Sequence, residues 1–169
     1  NIGAADDPHA FSLISIAEQG LPTVFPDAVM AEAEAVTEAD ATGREDLTAL
    51  PFITIDPADA RDHDDAVFAE PDPDNEGGYI VWVAIADVAA YVKPASEMDV
   101  DARKRGNSVY MPDRVVPMLP ERLSNDLCSL RENETRPCMA VRMQIAANGQ
   151  KTGHQFYRGL MRSVAKLSY

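Results

Sequence analysis

The chain has 169 residues, 46% of them hydrophobic, enough for one compact core with room for a second small lobe. Its formal net charge of −13, from 15 basic and 28 acidic residues, taken as a whole argues against a polyanionic partner. Cys128 and Cys138 form no CxxC pair, so neither a zinc site nor a disulfide framework is expected; the longest apolar stretch, Ile80 to Val92, is too short and too polar to span a bilayer, and with no secretory signal visible the cytoplasm is the default expectation.

Asp7 and Pro8 offer an N-cap and a first-turn proline, and Gly20 a stop, which predicts a short helix over HAFSLISIAEQ. PDAVMAEAEAV predicts a second helix, with Val29, Ala33 and Val36 on one face. TEADATGRED lacks an apolar period and reads as a linker, so residues 1–46 form a helical lead-in with a linker, and 47–169 a second region of different style. That region opens with strands: FITID, DDAVFAE and YIVWVAIAD, separated by an aspartate-rich loop and by the turn-rich PDPDNEGG. SEMDVDARKRG predicts a helix with Ser96 as N-cap, Asp99 at the third helical position, Arg103 to Arg105 in the last turn and Gly106 as stop. A short strand in NSVYM and the proline-punctuated PDRVVPMLPERLSNDLCSL follow. In PCMAVRMQIAANG, Met139, Val141, Met143 and Ile145 alternate with Cys138, Ala140, Arg142 and Gln144, the mark of a half-buried strand. Asn148-Gly149 then signals a hairpin whose return strand runs through HQFYRGLMRSV. The expected class is α+β: a mixed, largely antiparallel sheet with flanking helices.

Asp56, Asp62, Asp64 and Asp65 crowd into the string DPADARDHDD, directly after an apolar run. Two carboxylates about 4 Å apart repel by roughly 4 kcal/mol at an effective dielectric of about 20, so such a group protonates, splays into water or shares a cation. A solvated Asp-rich turn is one reading of the cluster. A shared hard cation is the other, and Mg²⁺, held by a few carboxylates plus water and phosphate, would point toward phosphoryl chemistry. An EF-hand is excluded, because the positions that need Gly and Glu hold Arg61 and Val67.

Charge along the chain sharpens this. Residues 1–50 hold 1 basic and 10 acidic residues, residues 51–99 hold 2 and 12, and residues 100–169 hold 12 and 6. An acidic centre beside a locally basic final third fits a metal site next to a surface for a phosphate backbone, and fits ordinary surface variation as well. Arg103, Lys104 and Arg105 serve either phosphate or the helix dipole. Asp87, amid apolar neighbours, reads as a hydrogen-bonded structural acid. His63 reads as an outward-facing side chain with no nucleophile patterned around it.

From about Asp46 to Tyr169, the strings TIDPADARDHDDAV, VAIADVAAYV, GNSVYMPDRVVPMLPERLSNDLCSL and AKLSY resemble, in order and spacing, the catalytic (RNB) domain of the ribonuclease II and ribonuclease R family of exoribonucleases, the ribonuclease R branch more closely. Residues 2–43 are similar to the piece that leads into it, which implies a partial RNB catalytic domain preceded by a short helical arm. The resemblance implies Mg²⁺-dependent hydrolysis of single-stranded RNA from its 3′ end to nucleoside 5′-monophosphates. No membrane partner is expected, and the sequence leaves the oligomeric state open, a monomer being the expectation for the intact enzyme. Asp56, Asp62, Asp64 and Asp65 match the family's four catalytic, metal-binding acids, Asp56 and Asp65 as direct ligands and Asp62 and Asp64 at a second ion or on the attacking water. These carboxylates are expected to converge on one site. Tyr110 matches the aromatic that packs against the terminal nucleotide, and stacking suits an enzyme indifferent to base identity. The family's domain continues beyond AKLSY and is flanked by OB-fold modules, so the chain reads as its first part. The rival readings are a non-catalytic RNA-binding fragment and an acidic metal-binding interaction domain.

Overall fold

The computed structural model describes residues 8–169; the cap expected at Asp7 lies outside them. The chain divides into two compact units, neither continuous in sequence: one takes the residues up to Val36 together with Val92–Leu123, the other Thr37–Tyr91 with Ser124–Tyr169.

The first unit is mostly helical. Helix α1 (Pro8–Glu18) carries Pro8 in its first position, where the missing N–H costs nothing, and is followed by Gly20 at φ 61. Helix α2 (Asp27–Ala35) follows Pro26 and buries Val29 and Ala33. Helix α3 (Glu97–Arg105) starts where predicted: the Ser96 side chain accepts a 3.3 Å hydrogen bond from the Asp99 N–H, and Gly106 at φ 81 ends it. The Met98 N–H donates to a Glu32 carboxylate at 2.9 Å, tying α3 to α2. Two short strands complete the unit, β5 (Val109–Tyr110) antiparallel to β6 (Val115–Val116). Arg105 is a structural residue. Its guanidinium donates to the Pro22 and Val24 carbonyls at 2.6 and 2.8 Å, pairs with Asp101 at 2.7 Å and covers the Phe25 ring at 3.8 Å.

The second unit is a sheet of β1 (Glu45–Asp46), β2 (Phe52–Asp56), β3 (Asp65–Pro71), β4 (Tyr79–Ala86), β7 (Thr135–Ile145) and β8 (Lys151–Ser168). Its strand order is β1-β8-β2-β3-β4-β7, and β7 pairs back onto β8, so five of the strands close into a ring. Closure depends on the length of β8. Its first part runs antiparallel to β7, from Lys151 to Arg162, and its last part runs parallel to β2, from Ser163 to Ser168. The mixed, largely antiparallel sheet read from the sequence is the one observed, the parallel pairs being β2–β8 and β1–β8.

Alternation places one face of each strand in the core. Phe52 and Thr54 of β2, Ala66 of β3, Ile80, Trp82, Ala84 and Ala86 of β4, Cys138 and Ala140 of β7, and Met161 and Ser163 of β8 are buried. Several of these are small, which lets a narrow ring fill without voids. Larger members such as Phe52 and Met161 contribute about 1.5 to 3 kcal/mol each by leaving water. Strand β7 is half-buried as its alternation indicates, with Cys138 and Ala140 on the buried side and Met139 exposed. Both cysteines are free and buried, and desolvation pushes the thiols up to about 12 at Cys128 and about 11 at Cys138.

The segment read as a linker is more than that. Glu45–Asp46 forms β1, and Arg44, 3% exposed, places its guanidinium 2.8 Å from the Asp87 carboxylate. A single buried ion pair leaves no apolar period to read. β1 also needs Gly159 on β8, where a Cβ would lie 2.8 Å from Leu47 Cδ1 and 3.2 Å from the Glu45 carbonyl oxygen.

Candidate active site

β2 ends on Asp56 and β3 begins on Asp65, so two of the four aspartates sit on strand ends, and Asp62 and Asp64 sit in the loop between. Asp56 continues the face of Phe52 and Thr54, which explains its partial burial. Thr54 Oγ1 is buried with no hydrogen-bond partner among the described residues. Asp65 is exposed and lies opposite Ile85 of β4.

The four carboxylates feel one another. Asp64 is held above the usual carboxylate range, first by loss of hydration and then by the charges of Asp62, Asp65 and Asp56, with His63 acting the other way. Its surface is still open to solvent, so the charge is crowded without being sealed off. Convergence into a ready cage is not observed: among the described residues no group of three or more His, Cys, Asp or Glu side chains is arranged to hold a metal ion. Asp56 Oδ2 is engaged by His63 Nδ1 at 2.8 Å.

His63 corrects the sequence reading. It is buried, 5% exposed, with its ring on Asp56, its N–H donating to Ser129 Oγ at 3.1 Å and its carbonyl accepting from the Leu130 N–H at 2.8 Å. The loop is tied elsewhere too. Ser129 Oγ donates to the Arg61 carbonyl at 2.9 Å, and Lys166 Nζ donates to the carbonyls of Ala58 and Ala60 at 3.4 and 2.9 Å. The Ala86 N–H donates to the Asp64 carbonyl at 2.9 Å. Ser129 and Lys166 lie in the strings NDLCSL and AKLSY, but no local pattern marks them, because their partners are more than sixty residues away.

Tyr110 lies in the other compact unit, on β5, 61% exposed. Much of the basic final third is committed to ion pairs: Arg103, Arg105, Arg114, Arg131, Arg136 and Arg158 all have acid partners. That leaves less free charge for a phosphate backbone than the composition implied.

A family model described as the RNB domain matches residues 44–169. The chain belongs to the RNB domain family. This RNB-domain chain is 50% identical over 160 residues to ribonuclease R of Acidithiobacillus ferrooxidans, covering 92% of itself and 36% of that protein. To ribonuclease R of Escherichia coli K12 it is 46% identical over 160 residues, covering 92% of itself and 19% of that protein. A solved structure of Mycoplasma genitalium RNase R in complex with ribose-methylated single-stranded RNA superposes with a TM-score of 0.89 at 33% identity, over 99% of this chain and 26% of that one. Yeast Ssd1, described as a pseudonuclease, shares the fold at a TM-score of 0.62 and 18% identity, over 85% of this chain and 17% of that one. The RNB-domain chain spans about a fifth to just over a third of the length of these curated relatives. A fold shared with a pseudonuclease carries no activity by itself, so function has to be argued from the aspartates.

The donor set suits a hard divalent cation. Four carboxylates lie on one strand-loop-strand segment, and Asp64 is destabilised as an anion by burial first and by the charges of the other three next. Mg²⁺ does not require a protein cage, being held through one or two carboxylates with water and substrate phosphate, so an open arrangement fits.

Proposed function

We propose that this chain is the first part of the catalytic domain of an Mg²⁺-dependent exoribonuclease that hydrolyses single-stranded RNA from the 3′ end to nucleoside 5′-monophosphates. The observation that carries the reading is the placement of Asp56 at the end of β2 and Asp65 at the start of β3 with Asp62 and Asp64 in the loop between, acids on one strand-loop-strand segment whose negative charge a cation offsets. Asp56 and Asp65, on the strand ends, would hold the ion, whose chemistry is to offset charge developing on the phosphoryl oxygens. Asp62 and Asp64 orient the attacking water and accept its proton, or complete a second ion's ligands. Tyr110, exposed on β5, stacks on a base without reading its identity. The two free thiols suit a reducing cytoplasmic setting.

The test uses a full-length enzyme that carries this domain and a single strand with a free 3′ end. Asp64→Asn should abolish mononucleotide release while leaving RNA affinity nearly unchanged, since metal-site charge serves the transition state and the ground-state grip comes from phosphate contacts and stacking. Equal losses in rate and affinity would contradict that division. RNA binding without hydrolysis in the unsubstituted enzyme favours a binding module, and ion binding without RNA binding favours an acidic interaction domain.

A further inference from the structure

The segment from Asp56 to Asp65 carries five aspartates, Asp59 besides the four of the site, against the single Arg61, and repulsion among them drives such a loop open. What opposes this is a set of ties to its backbone. Lys166 Nζ bonds the carbonyls of Ala58 and Ala60; Ser129 Oγ bonds the Arg61 carbonyl and the His63 N–H, the two groups that flank Asp62; Leu130 and Ala86 hold the carbonyls of His63 and Asp64. Ser129 is fully buried, and its hydroxyl spends its one proton on Arg61 while accepting from His63, a dual role that no apolar side chain replaces. Ser129 is itself held, its carbonyl accepting from Arg136 Nε at 3.2 Å while the same guanidinium pairs with Glu134 and Asp126.

We infer that Ser129 and Lys166 are positioning residues, clamping the backbone of the two halves of the aspartate loop so that the segment carrying Asp62 and Asp64 stays in place between Asp56 and Asp65 when a divalent cation gathers the carboxylates. This rests on the metal-binding reading above. Neither residue touches the ion or the substrate in this scheme; each acts through loop backbone. Lys166 separates the two explanations by sign. As a nearby positive charge alone, its removal would strengthen cation binding, whereas as a clamp its removal weakens it.

The experiment is a Mn²⁺ titration of this chain, following the free-ion paramagnetic resonance signal, with circular dichroism and thermal melting of each variant. Ser129→Ala and Lys166→Met should each weaken Mn²⁺ binding by about 10- to 100-fold, the range seen when residues behind metal ligands are removed, while the variants still melt cooperatively. Lys166→Arg, which keeps a donor that reaches the same carbonyls, should recover most of the loss. Unchanged or tighter Mn²⁺ binding by folded Lys166→Met, with a lowered melting temperature only, overturns the inference. If Ser129→Ala does not fold, half-exposed Lys166 decides alone. Failure of the metal reading looks different: the unsubstituted chain then binds no Mn²⁺, or Asp65→Asn binds it equally well, and the clamp inference falls with it.

Discussion

His63 Nδ1 and Asp56 Oδ2 stand 2.8 Å apart, with the imidazole 7% and the carboxylate 15% exposed. The pair makes a histidine between two aspartates part of the interior. An imidazole N–H donated to this carboxylate fixes the rotamer of Asp56 before any ligand arrives. His63→Ala should therefore cost about 1 to 3 kcal/mol, the usual cost of leaving a covered acceptor unpaired. Urea unfolding of the two proteins checks this; equal midpoints and slopes would show the contact to be incidental.

Tyr110→Ala should leave the ion site and the fold intact and instead alter placement of the RNA 3′ end, so that the final undegraded product changes in length. Lost stacking is worth about 1 to 3 kcal/mol per base. Product sizing on a denaturing gel reads this directly, and an unchanged end product with a uniformly slower rate would count against a stacking role.

Asp87 supplies a pH dependence. Burial by itself raises its pKa, but hydrogen bonds from Arg44 at 2.8 Å and Arg158 at 3.2 Å outweigh this and hold the carboxyl below the usual range. The unfolded chain therefore takes up this proton at a higher pH than the folded one. The stabilisation is present above the ordinary carboxylate value of about 3.9 and is lost as pH falls through the lowered value. Asp87→Asn should lower stability near neutrality by about 3 to 5 kcal/mol, as for a broken buried pair, and flatten the decline in acid. Denaturant unfolding across the acid range measures both, and a parallel pH profile in the variant would assign the acid sensitivity elsewhere.

The 169-residue chain by itself should not degrade RNA efficiently, even with Mg²⁺. In-line hydrolysis needs a held phosphate, an activated water and a positioned 3′ end, and misplacement alone costs on the order of 100-fold. A missing donor to the transferring group would cost roughly 3 to 4 kcal/mol more, by analogy with lost oxyanion contacts. Robust mononucleotide release by the chain, absent from its Asp64→Asn variant, would refute this.

Elements governed by neighbours in sequence were legible. Helix α3 carries its own punctuation in Ser96, Asp99 and Gly106, and β2, β3 and β4 carry theirs in apolar runs broken by turns. The aspartates were legible as a cluster because their spacing is local. What escaped depends on partners distant in the chain: Arg44 is explained by Asp87, the burial of His63 by Ser129 and Leu130, and Lys166 by two alanine carbonyls. The buried side of β7 escaped for another reason. Both of its faces include nonpolar residues, so alternation established a strand without saying which side the ring would enclose.

Because β8 pairs with β7 first and with β2 only through its last residues, the timing of assembly is written into the topology. β2 meets β3 at a single paired position, Ile53 with Val67, but meets β8 at five, from Phe52 with Ser163 to Asp56 with Ser168. The strand that presents Asp56 is therefore secured by contacts more than a hundred residues away in the chain, the kind of long-range closure that makes folding slow. During synthesis, the hairpin of β3 and β4 can form while β2 still lacks its main partner. The β2 end of the acidic segment therefore takes its place only after β8 has arrived, so Asp56 is not secured before the barrel-like ring has shut.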